Sequence, residues 1–194
     1  MSFFVTSRGM GKGGDLRGDA GDGLIGADRF CVELATAVHP TIGAKNWHAY
    51  LSTAQVAARA RIGNGPFINA NGVTIAATSA QLHDEGMAND LSGTTNLDEK
   101  GALVPSGGAA GNVHDILTGA TADGGIFADA HCNNWTSSFT GYVGRVGHSN
   151  RMGTGGMPPT SWNSAHNTSG CSAAGSGSVA SGGGRGSFYC AVAP

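Results

Sequence analysis

The stretch Gly186-Ser187-Phe188-Tyr189-Cys190-Ala191-Val192 reads as a strand, with its aromatic residues emerging from a polar loop. It lies near the end of the chain and carries the last of the four cysteines. Upstream of it, the glycine- and serine-rich run from Gly175 to Gly186 separates two cysteine-bearing segments and has no second domain behind it, so it is a loop and not a linker. The same alternation of aromatic anchor and polar loop recurs further back, in Cys132-Asn133-Asn134-Trp135-Thr136, in Tyr142 to Gly147 and in Ser161-Trp162-Asn163.

The first half of the chain supplies what can pack against such a strand. Phe3 to Thr6 reads as a strand and is followed by a glycine-rich loop from Arg8 to Gly26. From Ala27 to Val38, the residues Phe30, Cys31, Leu34, Ala35 and Val38 fall on one helical face, with Asp28 placed to favour the N-terminus and Pro40 ending the helix. Asn46 to Ser52 alternates so that Trp47, Ala49 and Leu51 share one face of a strand. A second, short helix is expected over Thr53 to Arg61. Phe67-Ile68 and Val73 to Ala76 flank Asn71-Gly72 as a hairpin. Long loops are expected at about 79–130 and 139–186, broken only by a brief apolar step at Asp115 to Thr118 that could be a strand.

The 194 residues fit one domain, 1–194, with enough chain to bury a core. The composition, with 34 glycines, 12% charged residues and a net charge of −2, predicts a loop-rich surface with little electrostatic repulsion. The 40% of hydrophobic residues argues for a folded chain. The eleven Lys and Arg are too dispersed to neutralise a run of phosphates, which speaks against nucleic acid as a partner. No stretch approaches the length of a membrane span, and the opening residues lack the apolar core of a signal peptide. The strand-like Phe3-Phe4-Val5-Thr6 directly after Met1-Ser2 suggests that a leader was removed.

The four cysteines, Cys31, Cys132, Cys171 and Cys190, contain no CxxC pair, which favours disulfides over a zinc or redox centre. Four buried free thiols are the alternative, and spacing leaves all three disulfide connectivities open.

The helix carrying the first cysteine, Trp47-His48-Ala49-Tyr50-Leu51-Ser52-Thr53, Cys132 to Ser138, Ser161 to His166 before Cys171, and the closing Phe188-Tyr189-Cys190 together resemble bacterial secreted proteins related to endostatin, the C-terminal domain of collagens XV and XVIII. The resemblance spans roughly residues 3 to 192. It implies an α+β, C-type-lectin-like single domain with a mixed sheet and nested disulfides, Cys31 to Cys190 and Cys132 to Cys171. In the chain-entropy model loops of those lengths are worth about 5 and about 4 kcal/mol. It also implies a secreted, periplasmic or cell-surface location.

The family's known binding features do not carry over. The zinc-binding histidines of endostatin lie at its N-terminus, and the first histidine here is His39. The Glu-Pro-Asn and Gln-Pro-Asp triplets of calcium-dependent lectins are missing, as is a basic heparin cluster. His131, His148 and His166 with Asp129 could gather around zinc, but their spacing matches no metal motif, so neither a metal nor a cofactor is expected. The amides and aromatics of Asn133, Asn134, Trp135, Trp162 and Asn163, with His148 and His166 in the same polar third, are the candidate ligand contacts, set against their reading as core anchors and loop braces. No nucleophile elbow, metalloprotease motif or phosphate loop is present, and no catalytic residue is named.

The expectation is therefore a non-enzymatic binding protein that recognises an extracellular polysaccharide or protein through its long loops. A structural subunit that assembles with itself is the first alternative, and an unrecognised hydrolase the second.

Overall fold

A computed structural model describes residues 1–83, 89–107, 111–151 and 161–193. In chain order its elements are β1 (Phe3–Val5), α1 (Gly23–Val38), α2 (Pro40–Gly43), β2 (Trp47–Ala49), a 3-10 turn (Ala58–Arg61), β3 (Phe67–Ile68), β4 (Thr74–Ala76), α3 (Ser79–His83), β5 (Asp115–Leu117), β6 (Arg145–His148), β7 (His166–Asn167) and β8 (Gly184–Val192). The architecture is α+β, with few helices and a mixed sheet.

The closing strand β8 is the axis of the sheet. Its later residues pair antiparallel with two strands at once, Cys190 with Phe4 of β1 and Ala49 of β2, while its earlier part runs parallel to β5. From β5 the sheet continues antiparallel through β6 to β7. Strand β8 is buried almost throughout, because side chains alternate between two apolar layers. Phe188 and Cys190 join Phe4, Trp47, Leu117 and the α1 residues Phe30, Cys31 and Leu34 on one face. Tyr189 and Ala191 join Phe3, Ile116, Phe67, Ile75, Leu82 and Trp162 on the other. Two disulfides, Cys31–Cys190 and Cys132–Cys171, tie this frame in the pairing that the resemblance implies.

Several boundaries differ from the sequence reading. Helix α1 begins at Gly23, four residues before Ala27, capped by Asp22, whose carboxylate accepts from Ile25 N at 2.9 Å. The two glycines in the added turn are buried: a Cβ on Gly23 would strike the Asn134 and Trp135 carbonyls, and one on Gly26 would strike the Leu16 carbonyl. Glycine serves close approach here, not a loop. Asp28 lies inside the helix and braces other segments, accepting from Ala49 N at 2.8 Å and pairing with Arg61 at 2.5 Å. The helix expected over Thr53 to Arg61 shrinks to the 3-10 turn, since Thr53 Oγ1 accepts from Gln55 and Val56 N in a side-chain turn instead. The hairpin around Asn71-Gly72 is present as β3–β4 with a bulge. The regions read as long loops, 79–130 and 139–186, contain α3, β5, β6 and β7. Parts of those regions, 84–88, 108–110 and 152–160, lie outside the described residues.

Candidate functional site

Two regions carry features that packing alone does not explain. The first is the segment after His131. Cys132, Asn133, Asn134 and Trp135 have φ values of 46°, 54°, 57° and 60°, one turn of left-handed backbone without a glycine. Each such residue costs about 1–2 kcal/mol, so the surroundings must over-determine the turn. They do so at both ends. Cys132 is held by its disulfide, and the fully buried Trp135 donates Nε1–H to Ser52 O at 2.7 Å. His131 Nδ1 accepts from Asn134 N at 2.9 Å, and Asn134 Oδ1 accepts from Ala54 N at 2.8 Å. Burial lowers the pKa of His131, consistent with a neutral ring in the accepting role.

Beyond this turn the chain reaches the surface and returns, with Cys132 N bonded to Val143 O. At its outer end Phe139 is 63% exposed and Tyr142 44% exposed, their rings edge to face at 5.8 Å. Asn133 is exposed beside them in sequence, and Cys132 to Gly144 contains no charged residue.

The second region lies where β5, β6 and β7 meet. The register sets Asp115 directly opposite His148, and Val146 opposite His166. Asp115 is 3% exposed. Its Oδ1 lies 3.2 Å from His114 Nε2 and 3.4 Å from His148 Nε2, and its Oδ2 lies 3.6 Å from His166 Nε2. The His114 and His148 rings stack at 4.4 Å and 10°. His114 Nδ1 faces Asn150 Oδ1 at 3.0 Å. The Asp115 carboxylate beside His166 raises that imidazole's pKa. Gly147 leaves room for the Trp162 carbonyl, which a Cβ would strike, and Tyr189 donates its hydroxyl to the same carbonyl at 2.8 Å. One ligand atom from each of His114, Asp115 and His148 lies within 4.8 Å of the other two, a donor set that can hold a metal ion.

The residues named from sequence fall in different places. Trp135 and Trp162 are fully buried in opposite apolar layers and present no face to a ligand. Asn163 is buried too, donating Nδ2–H to the Tyr50 hydroxyl at 3.0 Å and to Ala122 O at 3.0 Å. Asn133 is exposed, and Asn134 braces the left-handed turn. His148 and His166 do come together, but around Asp115 with His114, whereas His131 sits in the left-handed turn and Asp129 is exposed. His114, Asp115, Phe139 and Tyr142 were not named as site residues. Asp115 was visible only as the start of a brief strand, and nothing in its spacing marks it as the partner of His148, 33 positions away.

Among the described residues no helix is long and apolar enough to cross a membrane. No family model matches the chain, and no curated protein matches it.

Proposed function

We propose that this is a non-enzymatic, secreted or cell-surface binding module of the endostatin-like branch of the C-type-lectin-like fold, and that it recognises an uncharged polysaccharide through the loop that ends in Phe139 and Tyr142. The observation that carries the reading is the exposed aromatic pair on a rigidly held base. Exposed rings stack on the C–H faces of sugars, and flanking amides and hydroxyls exchange hydrogen bonds with sugar hydroxyls. The side chains of Asn133, Ser138 and Thr140 are of that kind and are exposed. The absence of charge from Cys132 to Gly144 favours a neutral glycan over a sulfated one. Holding the base in a left-handed turn fixes the loop before binding, which lowers the ordering cost on association.

A glycan array and a panel of insoluble neutral polysaccharides test this. Retention by a neutral polysaccharide that is lost in Phe139→Ala and Tyr142→Ala is the expected result. Retention by none, with the protein eluting as a large self-assembly, would replace the reading with that of a structural subunit.

A further inference from the structure

The chemistry around Asp115 is unusual for a buried carboxylate. Its Oδ1 accepts no hydrogen bond, although two imidazole nitrogens lie 3.2 and 3.4 Å away. At such a distance a well-aimed N–H would make one, so no ring N–H is directed straight at Oδ1. For His114 the reason is visible: its Nδ1 faces Asn150 Oδ1, an acceptor, which places the ring proton on Nδ1 and leaves Nε2 with its lone pair. The His114 Nε2 lone pair and a carboxylate oxygen then lie close together in a protein interior, an arrangement that repels unless a cation bridges them.

The distances suit such a cation once the stacked His114 and His148 rings, 10° apart, turn so that both Nε2 lone pairs meet on it. Ligand atoms 2.0–2.2 Å from a tetrahedral centre stand about 3.3–3.6 Å apart. The two Asp115 Oδ1 separations are close to that span, and the whole triad fits within 4.8 Å.

We propose that His114 Nε2, Asp115 Oδ1 and His148 Nε2 bind a zinc-class divalent ion, with His166 holding the second carboxylate oxygen of Asp115. Two imidazoles and one carboxylate suit zinc and its first-row neighbours, whereas calcium and magnesium require more oxygen ligands than this set offers. The three ligands come from the start of β5, the residue before it and the end of β6, so the ion would clamp β6 to β5, the strand beside β8. His166 on β7 acts through the carboxylate, as outer hydrogen-bond partners of metal ligands do, and Asn150 does the same for His114. The fourth position is left to solvent or an external ligand. This site stands on residues separate from the aromatic loop and does not depend on what that loop binds.

The test uses the full, disulfide-intact chain, stripped with chelator and dialysed. Zinc chloride is titrated by calorimetry, and cobalt(II) is added while the visible spectrum is recorded. One zinc per chain and a low-symmetry cobalt spectrum with imidazole character are expected. His114→Ala and His148→Ala should each weaken zinc binding by roughly tenfold or more, and His166→Ala, at an exposed position, by about tenfold. Asp115→Asn preserves the shape of the carboxylate and covers the case in which a histidine variant does not fold. His39→Ala, at an exposed histidine outside the cluster, should bind as the parent does. A parent chain that takes up no zinc, or binding that survives His114→Ala with His148→Ala, overturns the proposal. So does binding lost in His39→Ala.

Discussion

Two buried histidine environments in this molecule differ in one respect that separates support from a site. His83, 4% exposed, has both ring nitrogens accounted for: Nδ1 donates to Ser79 O at 2.7 Å, and Nε2 accepts from the Tyr50 hydroxyl at 2.8 Å. Burial holds its pKa down at about 4, and the neutral ring packs among Tyr50 and Trp162. Around Asp115, by contrast, His114, His148 and His166 turn their Nε2 atoms toward one carboxylate whose inner oxygen is unsatisfied. A closed hydrogen-bond circuit makes a histidine part of the core. A buried carboxylate oxygen left without a donor among converging imidazoles provides a place for a ligand.

The largest expected effect that breaks this comparison comes from acid. His83 is protonated more readily unfolded than folded, so its contribution is fully present above about pH 6.5 and is lost progressively as pH falls through about 4. The gap corresponds to about 3 kcal/mol. Urea unfolding between pH 7 and pH 4 should show that decline, and His83→Gln should flatten it; an unchanged slope in the variant would remove His83 as its cause.

A comparable effect of opposite sign should appear at the other cluster. Zinc at 100 times its dissociation constant should raise the unfolding free energy by about 2.7 kcal/mol in the parent and in His83→Gln, but not in His148→Ala. Denaturant midpoints with and without zinc at pH 7 measure this directly.

Tyr50→Phe should cost about 2 kcal/mol, because it leaves His83 Nε2 without its donor and Asn163 Nδ2 without one acceptor. It should leave zinc affinity unchanged, which calorimetry would establish. The smallest stability change is expected for Phe139→Ala, under about 0.5 kcal/mol at so exposed a position. Its consequence should appear in polysaccharide retention alone.

Much of the frame was legible because it depends on local pattern. The strand at Gly186 to Val192, the apolar face of α1 from Phe30 to Val38, and the Asn71-Gly72 hairpin each declare themselves within a dozen residues. The start of α1 was hidden because Gly23 and Gly26 resemble loop residues until the backbones packed against them are seen. Trp135 and Trp162 could be weighed as sugar platforms or core anchors from sequence, and only the packing shows them buried on opposite faces of the sheet. Phe139 looks in sequence like those anchors, and its exposure follows from lying past a left-handed turn that no propensity predicts.

By itself the sequence determined a chain with enough apolar residues to fold, four cysteines free of metal spacing, little charge, and a strand and helix able to share one core. These follow from composition and from periods of 2 and 3.6 residues, which are properties of neighbours in the chain. Which histidines meet, and around which carboxylate, was decided by tertiary structure. Register between β5, β6 and β7 brings positions 114, 115, 148 and 166 together, and register is set by how buried faces match across strands, not by local sequence.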